Sequence, residues 1–240
     1  MNVLGVHMKI RDFNIVDYWT EQINKMMDIL YIEYFPHDIA HQKAREYFLS
    51  HSEYTHLLFL PDDVIATPSH VELLIQDAHQ LGYDKVICGY CNVDFTKDEV
   101  AISNVKMNKV LIPGRTNYRF IRLMDILAGK YEYPFLKVFF QGNALTLIPR
   151  NIVEKLSFKG YRETIDTLFG KMMKRETMQD LQMAFELDQL GIDVICDLRL
   201  LIMHFGNTVK LINVKGKTPR MYLKTKDGEI KDIVEMEPYK

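Results

Sequence analysis

The chain has 240 residues, of which 48% are hydrophobic and 26% are charged, values typical of a globular protein with a sizeable core. This composition excludes the disordered and fibrous classes. The formal net charge is −2, and the lysines and arginines are scattered along the chain. We therefore expect no nucleic-acid partner, since such proteins carry a basic face or stripe.

Apolar or β-branched runs alternate with amphipathic segments through the first two-thirds of the chain, which predicts an α/β fold. The predicted strands in the first ninety residues are Asn2–His7, Ile29–Tyr34, His56–Leu60 and Val86–Tyr90. The predicted helices there are Val16–Met27, Asp38–Leu49 and a helix from Thr67 to Leu81. Thr67 and Pro68 suit the N-cap and first helical position, and Gly82 suits the end.

The second half of the chain begins with a less regular stretch, residues 92–133, which we interpret as an excursion from the core. Beyond it the patterns predict strands at Leu136–Ile148, Val194–Cys196 and Leu200–Met203, and helices from Pro149 to near Leu156 and at Thr177–Leu190. Met221–Lys226 and Glu229–Val234 predict a C-terminal hairpin, because Asp-Gly pairs favour tight turns between strands.

Three cysteines are too few for a disulfide framework, so we expect a reducing compartment. Cys88 and Cys91 form a C-x-x-C motif, but no second ligand pair at similar spacing accompanies it, as a zinc knuckle would require. The motif also ends a strand pattern, whereas a redox motif opens a helix. We interpret the two cysteines as small buried residues.

The sequence also predicts where the protein resides. No apolar stretch approaches the roughly 18 residues that span a bilayer. The short apolar segment at residues 1–6 lacks the basic region of a signal peptide. We therefore expect a soluble, cytoplasmic protein, with peripheral contact to a membrane left open.

Asp62 and Asp63 carry the strongest chemical signal, because they follow the buried strand pattern of Leu57–Leu60 almost directly. Open α/β sheets bind ligands at the carboxyl ends of their strands. Adjacent carboxylates suit a hard divalent cation that bridges them to substrate phosphates. We predict a site for Mn²⁺ or Mg²⁺ here, and the alternative is a helix cap or solvated turn.

Two further candidates are weak when each is taken alone. Asp180 lies at the start of a predicted helix, where the helix dipole favours any acidic residue. His204 lies in an apolar run, where a lone histidine is usually a core residue.

The order of these segments resembles GT-A glycosyltransferases, especially glycosyltransferase family 2, over residues 40–206. The stretch from Tyr54 to Val64 resembles the D-x-D strand, with Pro61 at the position of the first acid. The other matching segments are Ala44-Arg45 ("ARN"), Gln141–Arg150 (the acceptor-side strand), Gln179-Asp180-Leu181 with Leu190-Gly191 ("E-D-x…L-G") and Gly191–His204 (the closing "G-apolar…H"). In the fourth segment Gln179 replaces the family's glutamate.

The resemblance implies a GT-A (nucleotide-diphospho-sugar transferase) fold, with a mostly parallel central sheet flanked by helices, to which the pattern of the C-terminal residues adds a β-hairpin. It implies a catalytic domain over residues 1–206, with a nucleotide-binding half (1–91) and an acceptor and catalytic-base half (92–206). Residues 207–240 would form a tail that carries the hairpin.

The resemblance also implies site residues. The metal would be bound by Asp63, Asp62 and His204, and the donor by His7, Arg45 and Asp62. The catalytic base would be Asp180. The acceptor side would include Gly142, Asn143 and Gln179. The implied enzyme is a metal-dependent, hexosyltransferase-type glycosyltransferase that uses a UDP- or GDP-sugar. We expect inversion, because one base and no evident nucleophile are present.

Other functions remain open at this point. A nucleotidyltransferase that makes nucleotide sugars is disfavoured, because residues 8–12 contain no glycine for a phosphate loop. A non-catalytic GT-A-like binding protein and a divalent-metal hydrolase are the remaining alternatives. The acceptor is a glycan, lipid or protein that the sequence does not identify. An exposed hairpin edge would allow a homodimer.

Overall fold

A computed structural model describes residues 1–94, 98–112, 117–160, 162–166, 172–176, 179–205 and 216–238. Its helices are α1 (Asn14–Asn24), α2 (His37–Ser50), α3 (Pro68–Leu81), α4 (Leu123–Leu127), α5 (Arg150–Val153) and α6 (Gln179–Gln189). Its strands are β1 (Val3–Lys9), β2 (Ile29–Glu33), β3 (His56–Pro61), β4 (Val64–Ile65), β5 (Val86–Asp94), β6 (Glu99–Lys106), β7 (Tyr118–Ile121), β8 (Phe135–Val138), β9 (Phe140–Gln141), β10 (Thr146–Pro149), β11 (Arg162–Asp166), β12 (Met172–Glu176), β13 (Val194–His204), β14 (Arg220–Lys224) and β15 (Ile230–Glu235).

Within these ranges the strands form one 13-stranded sheet and a separate pair of β11 and β12. The main path of the large sheet has the order β15-β14-β2-β1-β3-β10-β5-β13-β4. Strands β1, β2 and β3 are parallel, and β5 is parallel to β13. Since β10 is antiparallel to both β3 and β5, these two strands also point the same way. The carboxyl ends of β1, β2, β3, β5 and β13 therefore lie along one edge.

The prediction of a mostly parallel sheet is wrong, because the sheet is mixed. The excursion, residues 92–133, is one reason why the sheet is mixed rather than mostly parallel. Strand β6 folds back on the end of β5, with Asn92 opposite Val100, so the chain enters β10 from the carboxyl edge. A strand that starts at this edge has to run antiparallel to β3 and β5. The hairpin of β14 and β15 adds two more antiparallel pairings, β14 with β2 and β15 with β14.

Helices cover both faces of the sheet, as predicted. In β3, Leu57 and Phe59 point into the core under α2, α5 and α6, while Leu58 and Leu60 point into the core under α1 and α3. A strand buried on both faces has no polar side to show, which explains the continuous apolar run that marks β3 in the sequence.

Most predicted elements of the first ninety residues are confirmed to within a few residues. The N-cap of α3 is also confirmed, because Thr67 Oγ1 accepts a hydrogen bond from His70 N at 3.4 Å. The helix ends before Gly82, whose φ of +91° favours glycine. None of the helices in the described ranges is long and apolar enough to cross a membrane.

The segment predicted as one strand over Leu136–Ile148 is three strands, β8, β9 and β10. The chain turns at Gly142, whose N–H donates to Ala101 O at 2.9 Å, and at Asn143, which has a φ of +51°. A Cβ at position 142 would lie 3.0 Å from the Ala101 Cβ, so this close approach to β6 favours glycine. At β13 two strands were predicted, Val194–Cys196 and Leu200–Met203, but they form one strand. Its pairing with β5 has a register shift between Cys196 and Leu201.

The C-terminal hairpin is confirmed, with Gly228 at a φ of +85° in its turn. It joins the main sheet, since β14 pairs with β2 and Tyr222 stacks on Tyr31 at 5.0 Å between ring centroids. The predicted start of the last helix at Thr177 and the predicted domain boundary at residues 206–207 lie outside the described residues.

The cysteines are free and buried, as the sequence predicted for the C-x-x-C pair. Cys88 and Cys91 lie in β5, and Cys196 lies opposite Cys88 in β13. Burial, followed by the nearby Asp63 charge, raises the pKa of the Cys91 thiol to about 12. The Cys91 side chain is therefore a small apolar group that remains a thiol at neutral pH.

Arg199 bridges two buried carboxylates, Asp77 of α3 and Asp197 of β13, and so links the helix to the strand. Arg199 Nη2 donates to Asp77 Oδ1 at 2.5 Å, and Arg199 Nε donates to Asp197 Oδ1 at 2.9 Å. Burial and the neighbouring Asp197 carboxylate raise the pKa of Asp77 to about 7, although Arg199 opposes this rise. The folded protein therefore holds a proton on Asp77 that the unfolded chain, with an ordinary pKa of 3.8, releases.

This shift predicts a pH dependence of stability. Because the folded state binds the Asp77 proton more tightly, the free energy of unfolding should fall as the pH rises from about 4 to about 7. In Asp77→Asn the amide does not titrate and can donate to Asp197, so this fall should be smaller, and the variant should be more stable than wild type at about pH 8. Urea denaturation across this pH range measures both. A wild type that gains stability over the variant as the pH rises would contradict the assignment.

Candidate functional site

The two adjacent carboxylates lie at the carboxyl end of β3, as the sequence predicted. The short strand β4 follows them and pairs with the end of β13, with Val64 opposite His204. This pairing places His204 Nε2 3.2 Å from Asp63 Oδ2, across 141 residues of sequence. Phe205 N donates to Asp63 O at 2.8 Å and holds the same junction. The structure thus brings together Asp62, Asp63 and His204.

Asp62 holds the loop that follows β1. The carboxylate is 3% exposed, and its Oδ2 accepts hydrogen bonds from Ile10 N at 2.8 Å and Arg11 N at 2.6 Å. Its Oδ1 accepts from Arg11 Nη2 at 2.6 Å. A carboxylate that accepts several N–H groups is well satisfied and firmly placed. Asp62 therefore fixes the β1 loop beside the end of β3.

The Asp63 side chain is more accessible than that of Asp62, and its neighbours shift its pKa strongly. Its Oδ2 accepts from Arg11 Nη2 at 2.6 Å as well as contacting His204. Burial opposes ionisation, but the hydrogen bond from His204 and the charge of Arg11 outweigh it and lower the pKa of Asp63 to about 2. Asp63 is therefore an anion at every pH at which the protein is expected to work.

Arg11 is a site residue that the sequence interpretation missed. One guanidinium nitrogen, Nη2, lies 2.6 Å from both Asp62 Oδ1 and Asp63 Oδ2. Next to it, Phe13 stacks on Phe205 with 5.1 Å between ring centroids, which joins the β1 loop to the end of β13. The sequence feature that could have indicated Arg11 is its position as a basic residue just after the first strand, within residues 8–12, which contain no glycine for a phosphate loop.

The donor chemistry of Asp63 and His204 fits a divalent cation. A carboxylate suits Mg²⁺ or Mn²⁺, whereas imidazole suits transition metals, so the pair together favours Mn²⁺ over Mg²⁺. In the described part of the chain no group of three or more His, Cys, Asp or Glu side chains could hold a metal ion. A cation here would therefore complete its coordination with water and with phosphate oxygens of a ligand.

His7, a predicted donor contact, is fully buried in the sheet. Its Nδ1 lies 3.0 Å from Leu60 O, and its Nε2 lies 3.7 Å from Asp17 Oδ1. Lys9 Nζ donates to Asp17 Oδ2 at 2.7 Å. Although burial opposes it, the contacts with His7 and Lys9 lower the pKa of Asp17. These residues form a polar cluster near the carboxyl end of β1, and the donor role of His7 stays a prediction.

Arg45, the other predicted donor contact, lies at the opposite edge of the sheet. Its Nε donates to Val153 O at 3.2 Å, at the end of α5. Helix α5 follows β10, whose last residue, Pro149, pairs with His56 at the amino end of β3. The structure therefore does not bring Arg45 together with the carboxylates at the other end of β3.

The predicted acceptor-side residues Gly142 and Asn143 lie in the turn between β9 and β10. Gln141 Nε2 donates to Asn143 Oδ1 at 2.6 Å, and Thr146 Oγ1 donates to Gln141 Oε1 at 2.9 Å. Thr146 pairs with Phe59 near the end of β3. This network fixes the turn at the carboxyl edge, the same edge as Asp62 and Asp63.

Asp180 and Gln179 open α6, which packs against β9. Burial raises the pKa of Asp180 to about 6, even though Leu181 N donates to its Oδ1 at 2.7 Å. Burial, followed by the charge of Asp180, raises the pKa of Tyr118 to about 12. Tyr118 in turn stacks on Phe140 of β9, with 4.0 Å between ring centroids.

A cavity of about 530 Å³ has residues of β6, such as Lys106, in its lining. It is bounded by the end of α6 and the start of β13, the amino end of that strand. Two ion pairs, Lys106 with Asp188 and Lys137 with Asp193, occupy its polar lining. Open α/β sheets bind ligands at the other edge, so we do not place the functional site in this cavity.

No protein-family model and no curated protein match the sequence. A match exists among solved structures, the crystal structure of the viral protein A197 from STIV, with a TM-score of 0.52 and 16% sequence identity. The match covers 100% of this chain and 97% of that chain. The two proteins share a fold. At this identity the likeness concerns the fold alone, so any function has to be argued from the site.

Proposed function

We propose that this chain is a GT-A-type glycosyltransferase that moves a sugar from a nucleoside-diphosphate sugar to an acceptor hydroxyl. The observation that carries the proposal is the meeting of Asp63 and His204, with 3.2 Å between Oδ2 and Nε2. The two residues come from distant parts of the chain and meet at the carboxyl edge of the sheet. A carboxylate and an imidazole at this edge suit a cation that is bound together with a diphosphate.

The strand order gives further support. Strands β2, β1, β3, β5 and β13 point one way around the reversed strand β10, and the candidate residues follow the ends of β3 and β13. The strand order changes side between β1 and β3, since β2 lies on one side of β1 and β3 on the other, and open α/β proteins bind ligands in the crevice outside the carboxyl ends of the strands at such a point. A nucleoside diphosphate in this crevice would meet Arg11 and Asp63 first.

The chain's own residues would divide the work at the donor. Asp63 and His204 would hold the cation, and Asp62 would keep the β1 loop in place through its bonds to Ile10 N and Arg11 N. The bound cation would neutralise the negative charge that develops on the departing nucleoside diphosphate. We propose UDP or GDP as the nucleotide.

Asp180 would act as the base. The acceptor oxygen bonds to the anomeric carbon while the bond from that carbon to the diphosphate oxygen breaks, and the hydroxyl proton passes to the Asp180 carboxylate. A base works best when its pKa lies near the working pH, and burial raises the pKa of Asp180 to about 6. A single base with direct displacement gives inversion at the anomeric carbon.

The test is a calorimetric titration of UDP and of GDP, each with and without Mn²⁺, into the full chain. We expect one nucleotide to bind in a Mn²⁺-dependent manner, and Asp63→Asn to weaken this binding by about tenfold or more, since the amide is a poorer cation ligand. Asp98→Asn is the matched control, because Asp98 accepts from groups at the start of α4, Arg122 Nε at 3.0 Å and Met124 N at 2.8 Å.

Two outcomes would contradict the proposal. The first is equal nucleotide affinity with and without Mn²⁺ in wild type and Asp63→Asn alike. The second is failure of UDP, GDP and the other nucleoside diphosphates to bind at all, which would favour a non-catalytic protein of this fold.

A further inference from the structure

Arg11 has a fixed backbone and a charged side chain that reaches both carboxylates of the site. Asp62 Oδ2 accepts from the Arg11 amide at 2.6 Å, which anchors the residue. The guanidinium then extends over the carboxylates, with Nη2 2.6 Å from Asp62 Oδ1 and 2.6 Å from Asp63 Oδ2. The Arg11 side chain is 21% exposed, so it reaches solvent and can move without unpacking the core.

The guanidinium occupies the position that a cation would need. Asp63 Oδ2 accepts a hydrogen bond from Arg11 Nη2 and lies 3.2 Å from His204 Nε2. The guanidinium therefore contacts the same carboxylate oxygen that a cation bound between Asp63 and His204 would need. Two positive charges cannot share this oxygen at low cost, because Coulomb repulsion is strong where solvent is partly excluded. The two carboxylates thus already share one positive charge that belongs to the chain, the Arg11 guanidinium.

Arginine also suits the ligand that we propose for this crevice. Its planar guanidinium binds phosphate oxygens with two parallel hydrogen bonds, and it stays charged at every accessible pH. Asp62 would remain well placed after the side chain left, because Ile10 N and Arg11 N still donate to it. Movement of the guanidinium from carboxylates to phosphate would leave Asp63 Oδ2 open while Arg11 kept an anionic partner.

We infer that Arg11 is an exchangeable counter-cation, which holds Asp62 and Asp63 in the donor-free protein and moves to the diphosphate when a divalent cation binds Asp63 and His204. The inference rests on the proposed function and adds a regulation to that same site. Binding of the cation alone must displace Arg11 without compensation. Binding of cation and diphosphate together supplies Arg11 with a new anion, so each ligand strengthens the binding of the other.

The test measures two affinities in wild type and in Arg11→Met, a variant that keeps an unbranched apolar stem but removes the charged guanidinium. The first is the affinity for Mn²⁺ alone, followed through the electron paramagnetic resonance of free Mn²⁺. The second is the affinity for UDP at saturating Mn²⁺, or for GDP if that is the nucleotide that binds. Arg122→Met is the control, since Arg122 pairs with Asp98 in an exposed position.

The expected changes have opposite signs. Arg11→Met should bind Mn²⁺ alone at least about fivefold more tightly, because nothing competes for Asp63, and should bind the nucleotide at least about fivefold more weakly. The gain in Mn²⁺ affinity should disappear in the double variant Arg11→Met with Asp63→Asn. A residue with a merely structural role would weaken both affinities together.

The inference is overturned if Arg11→Met binds Mn²⁺ no more tightly than wild type, or if neither protein binds Mn²⁺. It is also overturned if the nucleotide affinity is unchanged. If no nucleotide binds wild type, the proposed function fails, and the Mn²⁺ comparison alone decides whether Arg11 occupies a cation site. If Arg11→Met does not fold, Arg11→Lys replaces it, since one ammonium group cannot reproduce the guanidinium contacts, and the same two changes are expected at smaller size.

Discussion

Replacement of Asp180 by asparagine is expected to lower the rate of sugar transfer by about 10²–10⁴-fold and to leave nucleotide binding unchanged. The amide has the shape of the carboxylate but cannot accept the acceptor's proton. In wild type the rate should also fall as the pH drops below about 6, because burial raises the pKa of Asp180 to about 6 and the protonated acid is no base. Release of nucleoside diphosphate from the donor sugar measures both effects.

The control for this prediction is Asp188→Asn on the same helix. Asp188 pairs with Lys106 and is 41% exposed, so its loss should alter neither the rate nor the pH profile. An Asp180→Asn variant with the wild-type rate would contradict the assignment of the base. A variant that lost nucleotide binding as well would show that Asp180 supports the site rather than the chemistry.

Replacement of Arg150 by methionine is expected to destabilise the fold by about 2–4 kcal/mol. Arg150 Nη2 donates to Phe48 O at 2.7 Å and to His51 O at 2.5 Å, and its Nε donates to Tyr54 O at 2.8 Å. These carbonyls close the end of α2 and the turn into β3, and the guanidinium lies 4.4 Å from the centre of the Phe48 ring. Methionine would leave carbonyls without donors in a partly buried place.

Urea denaturation monitored by circular dichroism measures this loss. Arg150→Lys should lose less, because one ammonium can still reach some of the carbonyls. Arg122→Met, which removes an exposed ion pair, should change the free energy of unfolding by less than about 1 kcal/mol. A similarly small loss in Arg150→Met would mean that water satisfies the carbonyls as well as the guanidinium does.

Local patterns were enough to predict the elements that support the site. The run of apolar residues in β3 and the Thr67-Pro68 start of α3 depend on neighbouring residues alone, so their bounds were predicted closely. The direction of β10 was not predictable in this way. It depends on where the excursion leaves and re-enters the sheet, which is a matter of long-range pairing.

The same distinction applies to the candidate site. Asp62 and Asp63 stand out because they follow a buried strand almost directly, at the edge where open α/β sheets bind ligands. The meeting of Asp63 with His204 depends on the pairing of β4 with β13, and only the resemblance to a known family suggested it. Arg11 was missed because its partners are 51 and 52 residues away in sequence.

Sequence motifs did not predict the contacts that two of the arginines make. Arg150 belongs to the segment that resembles an acceptor-side strand, yet its side chain donates to the carbonyls at the end of α2. Arg45 belongs to a segment that resembles a donor-binding helix, yet it donates to carbonyls at the end of α5. Both arginines close helix ends, a use that motif comparison cannot separate from ligand binding because the residue type is the same.

In the proposed function, Asp63 and His204 act as one cation site for the donor. A double-mutant cycle tests it most directly, with Mn²⁺-dependent nucleotide affinity measured for Asp63→Asn, His204→Gln and the double variant. If the two side chains hold one cation, each single change should weaken binding by about tenfold or more, and the double variant should be little worse than the weaker single variant. Wild-type affinity in both single variants, or losses that simply add, would contradict the claim.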